Sequence, residues 1–341
     1  MFVIRPIQQK DYAELYKVAV ESGHGFTSLP VNEELIKNKI TNAENSFINN
    51  DADKPGEYGY LFVMEDLATG NIMGTSGIES SVGLTDAFYH YHLSKVVHNS
   101  RELNIYNTAE ILTLCNDYTG ATELCTLFLR EPYRSGIKGR VLSKFRFLFL
   151  AQHRQRFANT VIAEMRGVSN DDGESPFWQW LEDHFFSMDF PTADYLTGIG
   201  QKVFIAELMP KYPVYVSLLS KDAQAVIGKV HDKTMPALKL LKSEGFRWNG
   251  YVDIFDAGPT VEADIEQIQT VRCSDLYTVN IVEQMQEAGY IMLSNLSVAE
   301  YRATAVQTTL NKHNLTIELT QEVADIMNVS AGEQVRAVKL I

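Results

Sequence analysis

One segment, residues 123–149, limits the folds open to this chain more than any other: ELCTLFLREPYRSGIKGRVLSKFRFLF. It opens with an apolar run from Leu124 to Leu129, which is too short for a helix and is followed by a turn-forming Pro132, so it predicts a buried strand. Beyond a basic loop, apolar residues recur at three- and four-residue spacing from Val141 to Phe149, which predicts a helix. A strand, an anion-binding loop and a helix therefore form the centre of the predicted fold.

The loop, residues 134–139 (RSGIKG), can present consecutive main-chain N–H groups to an anion. Glycine lets the backbone approach closely, and the helix predicted to begin at Arg140 has free donors and a positive dipole end. The patterns GxGxxG and GxxxxGK[ST] are absent, so neither NAD nor ATP is favoured. A plain strand-to-helix turn fits these residues equally well. If a diphosphate binds, we expect it at Arg134, Gly136, Lys138, Gly139 and Arg140.

Composition narrows the classes of partner. Thirty basic against 43 acidic residues give a net charge of -13, which argues against a nucleic-acid or anionic-membrane surface and is compatible with a small cationic substrate.

No signal-peptide pattern and no apolar run of ~18 residues is present, so we expect a cytoplasmic protein. The three cysteines lack a CxxC spacing and indicate neither a disulfide nor a zinc site. Cys125 could accept an acyl group, but in apolar company we assign it to the core.

Two further pairs of residues are candidates for chemistry. His90 and His92 alternate and so share one face of a predicted strand, but no third ligand is spaced to complete a metal site, so we predict a solvated face and no metal. Glu164 and Arg166 also share a face, near the end of a strand predicted at 161–167. They are either an internal ion pair or a substrate-facing pair, because open α/β sheets bind ligands at strand ends.

The remaining pattern predicts a mixed α+β chain. Helices are expected after four capping residues: Asp11, Asn32, Ser175 and Ser220. The last of these helices should end near His231. Strands are predicted at 60–64, 72–78, 201–208 and 246–255. Beyond about Asp264 short strands dominate, which indicates a β-rich appendage.

The loop resembles the coenzyme A pyrophosphate loop of the GNAT superfamily of acyl-CoA-dependent N-acyltransferases, whose pattern is Arg/Gln-x-x-Gly-x-Gly after a central strand. Arg134 and Gly139 match its first and last positions, while the middle glycine stands at Gly136 rather than at Ile137. Further blocks are similar to one family, the arginine N-succinyltransferases: TSLP (27–30), ELNIYN (102–107), ELCTLFL (123–129), AEMRGV (163–168), SPFWQ (175–179), FFSMDF (185–190), GQKVFIAELMPK (200–211), AQAVIGKVH (223–231) and DIFDAGPT (253–260).

This resemblance implies an α+β, GNAT-like fold with one or two such lobes and a small C-terminal β-rich subdomain. The implied division is an acyl-CoA-binding lobe at 1–200, a second lobe at 201–264 and the subdomain at 265–341. It implies transfer of succinyl from succinyl-CoA, a co-substrate rather than a permanent cofactor, to the α-amine of L-arginine. A homo-oligomer, or a hetero-oligomer with a paralogous chain, is expected.

Two residue roles also follow from the resemblance. Leu127 is expected to contact succinyl-CoA, and His231 is expected to be the proton donor. The predicted helix C-terminus before His231 would favour the protonated ring. From their surroundings alone, Leu127 would be strand core and His231 a surface capping residue. Two other functions remain open: a related acyltransferase that uses ornithine or acetyl-CoA, and a CoA-binding module without turnover.

The charges of the two reactants suggest a last hypothesis. Succinyl-CoA brings a free carboxylate, and we expect a strand cation such as Arg166 to pair with it. Arginine brings a guanidinium, for which Glu164 or Asp256 are the candidate partners. Both assignments rest on positions at strand ends.

Overall fold

A computed structural model describes residues 1–23, 28–49, 54–170, 173–286 and 288–340. The strands are β1 (Phe2–Pro6), β2 (Gly59–Asp66), β3 (Ile72–Glu79), β4 (His90–Ser100), β5 (Ile105–Cys115), β6 (Thr122–Leu129), β7 (Thr160–Glu164), β8 (Val214–Tyr215), β9 (Arg247–Val252), β10 (Pro259–Asp264), β11 (Asp275–Ile281), β12 (Tyr290–Ser294), β13 (Ala303–Gln307), β14 (Leu310–Asn311), β15 (Thr316–Leu319) and β16 (Gln334–Lys339). The helices are α1 (Tyr12–Ser22), α2 (Glu33–Ile48), α3 (Lys138–Gln152), α4 (Pro176–Leu181), α5 (Phe190–Gly198), α6 (Val203–Leu208), α7 (Lys221–Val226), α8 (Met235–Ser243), α9 (Gln269–Cys273) and α10 (Gln321–Met327). Within the described ranges, no helix is long and apolar enough to cross a membrane.

The strands join into one mixed sheet in the order β14-β15-β11-β16-β12-β13-β1-β2-β3-β6-β7-β10-β9-β4-β5-β8. β6 runs parallel to β7, and β11 runs parallel to β15. Helix α3 follows β6 and packs on β3, β6, β12 and β13, which accounts for the burial of every residue from Val141 to Leu150. The predicted α+β class is therefore confirmed.

Local sequence signals account for most helix starts. The side-chain oxygens of Asn32, Ser175 and Ser220 each accept a main-chain N–H three residues further on, so these predicted caps are confirmed. Asp11 stands at the predicted start of α1, but it does not cap that helix. Its carboxylate instead binds the Arg5 guanidinium through two contacts of 2.7 and 2.8 Å, because a buried charge needs an ionic partner more than a helix needs a cap.

Two predicted elements are wrong. Residues 201–208 were expected to be a strand, but Val203–Leu208 is helix α6; a short apolar run does not distinguish a strand from one buried helical turn. The helix after Ser220 was expected to reach His231, but α7 ends at Val226. Gly228 explains the early end, since its φ of +70° suits glycine and a Cβ there would lie 2.5 Å from the Trp248 ring.

Among the described residues, the three largest buried clusters hold the sheet and helices together. The largest joins α1, α2 and α3 to the central strands and includes Tyr301 and Leu340 from the C-terminal part. A second lies under α4 to α7 against β4, β5 and β9. The third belongs to the strands around β11 and to α10. The C-terminal part thus has its own core but also shares the first, through β13 beside β1. The division at 200 and 264 stays a prediction.

The predicted solvated face for His90 and His92 is wrong for His90. This residue is fully buried, with ring contacts to Phe88 and Tyr118. The reason is that β4 lies inside the sheet, between β5 and β9, rather than at an edge. His92 is partly exposed and stacks on Tyr251, with ring centroids 4.6 Å apart.

Candidate active site

Strands β6 and β7 lie side by side for only a short distance. Their parallel pairing covers Thr122–Val161 and Glu123–Ile162, and no further pairs follow among the described residues. On its other side, β6 shifts register against β3 between Gly77 and Thr75. Thr126 has a φ of +51° at this bulge. The Leu127 side chain is half-buried against the main core. Its main chain is paired with neither β3 nor β7.

The two-glycine loop lies between the bulged strand and α3, where it was predicted. Helix α3 begins at Lys138, two residues earlier than expected, with Gly139 in its first turn. Arg134 closes the loop by donating from Nε to the Leu129 carbonyl at 2.7 Å, and Gly136 has a φ of +61°. In the described part of the chain, no acceptor bonds the main-chain N–H groups of residues 136–140. Free main-chain donors at the start of a helix favour an anion, so this loop is a candidate anion site.

His231 is held against the segment that follows β7. Its main-chain N–H donates to the Arg166 carbonyl at 2.9 Å, next to an antiparallel bridge between Gly167 and Val230. The main-chain N–H of Met165, one residue earlier than Arg166, donates to the Pro259 carbonyl of β10, on the opposite side of the segment. Because an extended chain points successive groups to alternate sides, His231 lies on the side of β7 that faces β6. His231 is thus bonded to the segment that continues from β7, the strand beside β6.

The ring of His231 has a defined tautomer. The Lys233 main-chain N–H can only donate, and it lies 3.1 Å from Nδ1 of His231, so Nδ1 accepts and the proton of the neutral ring is on Nε2. The expectation of a helix C-terminus before His231 is wrong. His231 instead caps the start of a short 3-10 helix, Asp232–Thr234, whose dipole disfavours a cation. The Lys233 contact, and not a helix dipole, therefore orients the neutral ring.

Asp256 and Arg166 help to hold this arrangement. The buried Asp256 carboxylate accepts the Gly167 N–H at 2.6 Å and the Gly258 N–H at 2.8 Å. Asp256 therefore positions the segment that carries Arg166. This positioning does not depend on any contact of Asp256 with a substrate. Arg166 is half-buried and donates from Nη2 to Ser169 Oγ at 2.9 Å.

Glu164 ends β7 beside a histidine. Its Oε1 lies 2.9 Å from Nε2 of His90, a contact that sequence reasoning missed because the two residues lie on strands that are far apart in the chain. Burial, and secondarily the charge of Asp253, raises the pKa of Glu164 to about 8. The pKa of the Cys125 thiol is also raised, to about 12, chiefly by burial and then by the charge of Glu79. The thiol therefore stays protonated and is a poor nucleophile.

Family comparison decides what kind of protein carries this site. The model for the arginine N-succinyltransferase beta subunit matches residues 2–270, and the model for the C-terminal domain of that subunit matches residues 276–339. The chain belongs to the arginine N-succinyltransferase family. The resemblance of the sequence blocks is thereby confirmed; Thr27, the first residue of TSLP, lies outside the described residues.

Individual relatives of the arginine N-succinyltransferase family cover the whole chain. An arginine N-succinyltransferase of Yersinia pestis is 45% identical over 347 residues, covering 100% of this chain and 98% of the relative. One from Salmonella schwarzengrund is 46% identical over 343 residues with the same coverage. The solved structure of arginine/ornithine succinyltransferase subunit AI from Pseudomonas aeruginosa superposes with a TM-score of 0.91 at 33% identity, covering 100% of this chain and 99% of that one.

Proposed function

We propose that this chain transfers the succinyl group of succinyl-CoA to the α-amine of L-arginine, giving N2-succinyl-L-arginine and CoA. The observation that supports the proposal is that β6 and β7 pair at only two positions, with the two-glycine loop after β6 and with His231 bonded to the segment after β7. Family membership supplies the acyl donor and the acceptor. The co-substrate binds and leaves in each cycle, and no permanent cofactor is needed.

Each part of this arrangement has a task in this reaction. The α-amine attacks the thioester carbonyl carbon, the C–S bond then breaks, and sulfur leaves with the bonding pair. The nitrogen loses one proton to solvent, and the sulfur gains one from His231. The unpaired main chain around Leu127 binds the pantetheine amides and the thioester. His231 donates as the imidazolium, which forms when Nδ1 takes a proton in place of the Lys233 contact; the ring is neutral after the transfer and is reprotonated from solvent. Polarisation of the carbonyl by main-chain donors of the bulged strand lowers the barrier further.

The two-glycine loop should bind the CoA diphosphate through its main chain. Lys138 and Arg140 flank these donors, and Arg134 fixes the loop through Leu129. Gly139 lies in the first turn of α3, and a Cβ there would meet only Leu129 Cδ2 at 3.6 Å, an ordinary contact. A methyl group therefore fits the fold but would project beside the N–H groups that face the phosphates.

Gly139→Ala should weaken CoA binding while leaving the melting temperature unchanged or higher, because alanine in a helix is favoured over glycine by about 0.5–1 kcal/mol. Calorimetry with CoA and thermal melts measure the two quantities. Gly70→Ala, in the β2–β3 turn at a φ of +72°, is the control and should give the reverse pattern. CoA affinity unchanged in Gly139→Ala would refute this placement of the diphosphate.

Ornithine is a second candidate acceptor, favoured by the name of the Pseudomonas relative, which includes both amino acids. Incubation of the purified protein with equimolar arginine and ornithine and with either succinyl-CoA or acetyl-CoA, followed by mass spectrometry, would identify the product. N2-succinylarginine as the main product supports the proposal. Absence of any acylated product, with CoA still bound, would instead indicate a CoA-binding module. Light scattering of the same sample tests the expected oligomer.

A further inference from the structure

Three glutamates converge on one face of the sheet, beside the short pairing of β6 and β7. Glu79 of β3 and Glu123 of β6 are direct partners across the strand pair, a position in which Cβ atoms lie about 4.5–5.5 Å apart. Glu123 pairs with Ile162 of β7, and Glu164 lies two residues further along on the same face. Like charges placed directly opposite each other destabilise a sheet, so this carboxylate cluster requires an explanation.

The residues around the cluster do not neutralise it. Lys39 of α2 lies 3.4 Å from Glu79 and can balance one charge. His90 touches Glu164, but burial lowers the pKa of His90 to about 4, so its ring is neutral at physiological pH. The described residues place no hydrogen-bond donor on the Glu123 carboxylate, and burial, followed by repulsion from Glu164 and Glu79, raises its pKa to about 8. A pKa of about 8 leaves Glu123 and Glu164 largely protonated near neutral pH, with Lys39 beside Glu79 and the charge of Lys202 acting on Glu164. A bound cation would stabilise the ionised carboxylates.

Buried polar groups without partners border the same cluster. His90 is fully buried, and although Nε2 is close to Glu164 the two are not aligned for a hydrogen bond, so both ring nitrogens have no bonded partner in the described ranges. Thr260 of β10 stands directly across from Glu164 and is also fully buried, with an Oγ1 that no described residue bonds. Buried polar groups in folded proteins are nearly always bonded, so their presence here indicates a ligand or water that completes the site.

A cavity borders one member of the cluster. Its volume is about 550 Å³, within the range of ligand sites, and its lining includes Lys39, Gly59 and Glu79 but neither Glu123 nor Glu164. A Cβ at Gly59 would lie 2.9 Å from the end of the Glu79 side chain, so a larger residue there would displace that carboxylate. No three His, Cys, Asp or Glu side chains within the described ranges are grouped closely enough to hold a metal ion. Carboxylates spread over three strands match the flat, delocalised charge of a guanidinium instead.

We infer that Glu79, Glu123 and Glu164 form the guanidinium subsite for the acceptor, with His90 and Thr260 at its base. This inference rests on the proposed function. The distance is consistent with it: Glu123 and Leu127 are four residues apart on one strand, or about 13 Å. An extended arginine side chain together with a glutamate side chain spans roughly that length. The guanidinium would lie among the glutamates when the α-amine reaches the thioester at Leu127.

Citrulline tests the inference, because it has arginine's shape but a neutral ureido group. The wild-type protein should prefer arginine strongly, as judged by kcat/KM for the two acceptors. Glu123→Gln and Glu164→Gln should each reduce that preference by about 10- to 100-fold, the effect of one charge-assisted hydrogen bond, and leave the KM for succinyl-CoA unchanged. Because Glu123→Gln removes a repulsion, its melting temperature should not fall.

Glu262→Gln is the matched control. Glu262 is on the same sheet face, but its carboxylate accepts hydrogen bonds from the Tyr118 hydroxyl and from Asn249, so the preference should not change. An unchanged preference in Glu123→Gln and Glu164→Gln, or equal loss of kcat with both acceptors, would overturn the inference. Calorimetry of arginine and citrulline binding in the presence of CoA gives the same comparison without turnover. It therefore separates failure of the subsite from failure of the proposed reaction.

Discussion

His231→Ala should lower kcat by roughly 10²–10⁴, the range typical of losing a general acid. The departing thiolate would then have to take its proton from water rather than from the protonated His231 ring. The KM for succinyl-CoA should change much less, because His231 acts on the leaving sulfur and does not bind the diphosphate. Steady-state kinetics at saturating arginine measures both constants.

His313→Ala is a suitable control for this experiment. His313 is exposed, on the turn between β14 and β15, and its ring nitrogen contacts only the adjacent Asn314 among the described residues. Its removal should leave kcat at the wild-type value. If His231→Ala also stayed within a few fold of wild type at saturating substrates, the proton-donor role would be excluded.

Succinyl-CoA should be preferred over acetyl-CoA by up to roughly 10⁴–10⁵ in kcat/KM, because a site built to pair a carboxylate is left with an uncompensated cation when the carboxylate is missing. We propose Arg166 as that cation. It is half-buried and belongs to the segment that bonds His231 through its carbonyl. Arg166→Gln should lower kcat/KM for succinyl-CoA far more than for acetyl-CoA.

A structural role for Arg166 predicts a different result. If its guanidinium serves mainly to hold Ser169, Arg166→Gln would lower the melting temperature and reduce both donors equally. Ser169→Ala removes that contact while keeping the cation, and it should leave the donor preference intact. Measuring kcat/KM for both donors in the three proteins, alongside thermal melts, distinguishes the two roles.

The central strand, loop and helix could be predicted because each has a local signature. Apolar spacing defines α3, Ser175 and Asn32 start their helices, and Gly70 turns β2 into β3. Helix α6 could not be predicted, since one buried turn has no period of its own. The end of α7 depends on Gly228 meeting Trp248, which is a tertiary contact and leaves no pattern in the sequence.

The same distinction applies to the site. The anion loop is contiguous and was visible in the sequence, whereas the carboxylate cluster was not. Glu79 and Glu123 become neighbours only through the register of β3 and β6, and a single glutamate in a strand reads as an exposed residue. The burial of His90 depends in turn on β4 lying beside β9. A useful signal was nevertheless present: Glu123 is the one charged residue in the strand Thr122–Leu129.

The position of β1 has a consequence for how the chain is made. β1 precedes β13 by about 300 residues, yet it lies between β2 and β13, and the Phe2 carbonyl accepts a hydrogen bond from the Thr304 hydroxyl. Until β13 has left the ribosome, one side of β1 stays open as a strand edge that can pair with another molecule. Fragments that stop near residue 270 should therefore express as aggregates, and supplying residues 271–341 as a separate chain should increase their solubility.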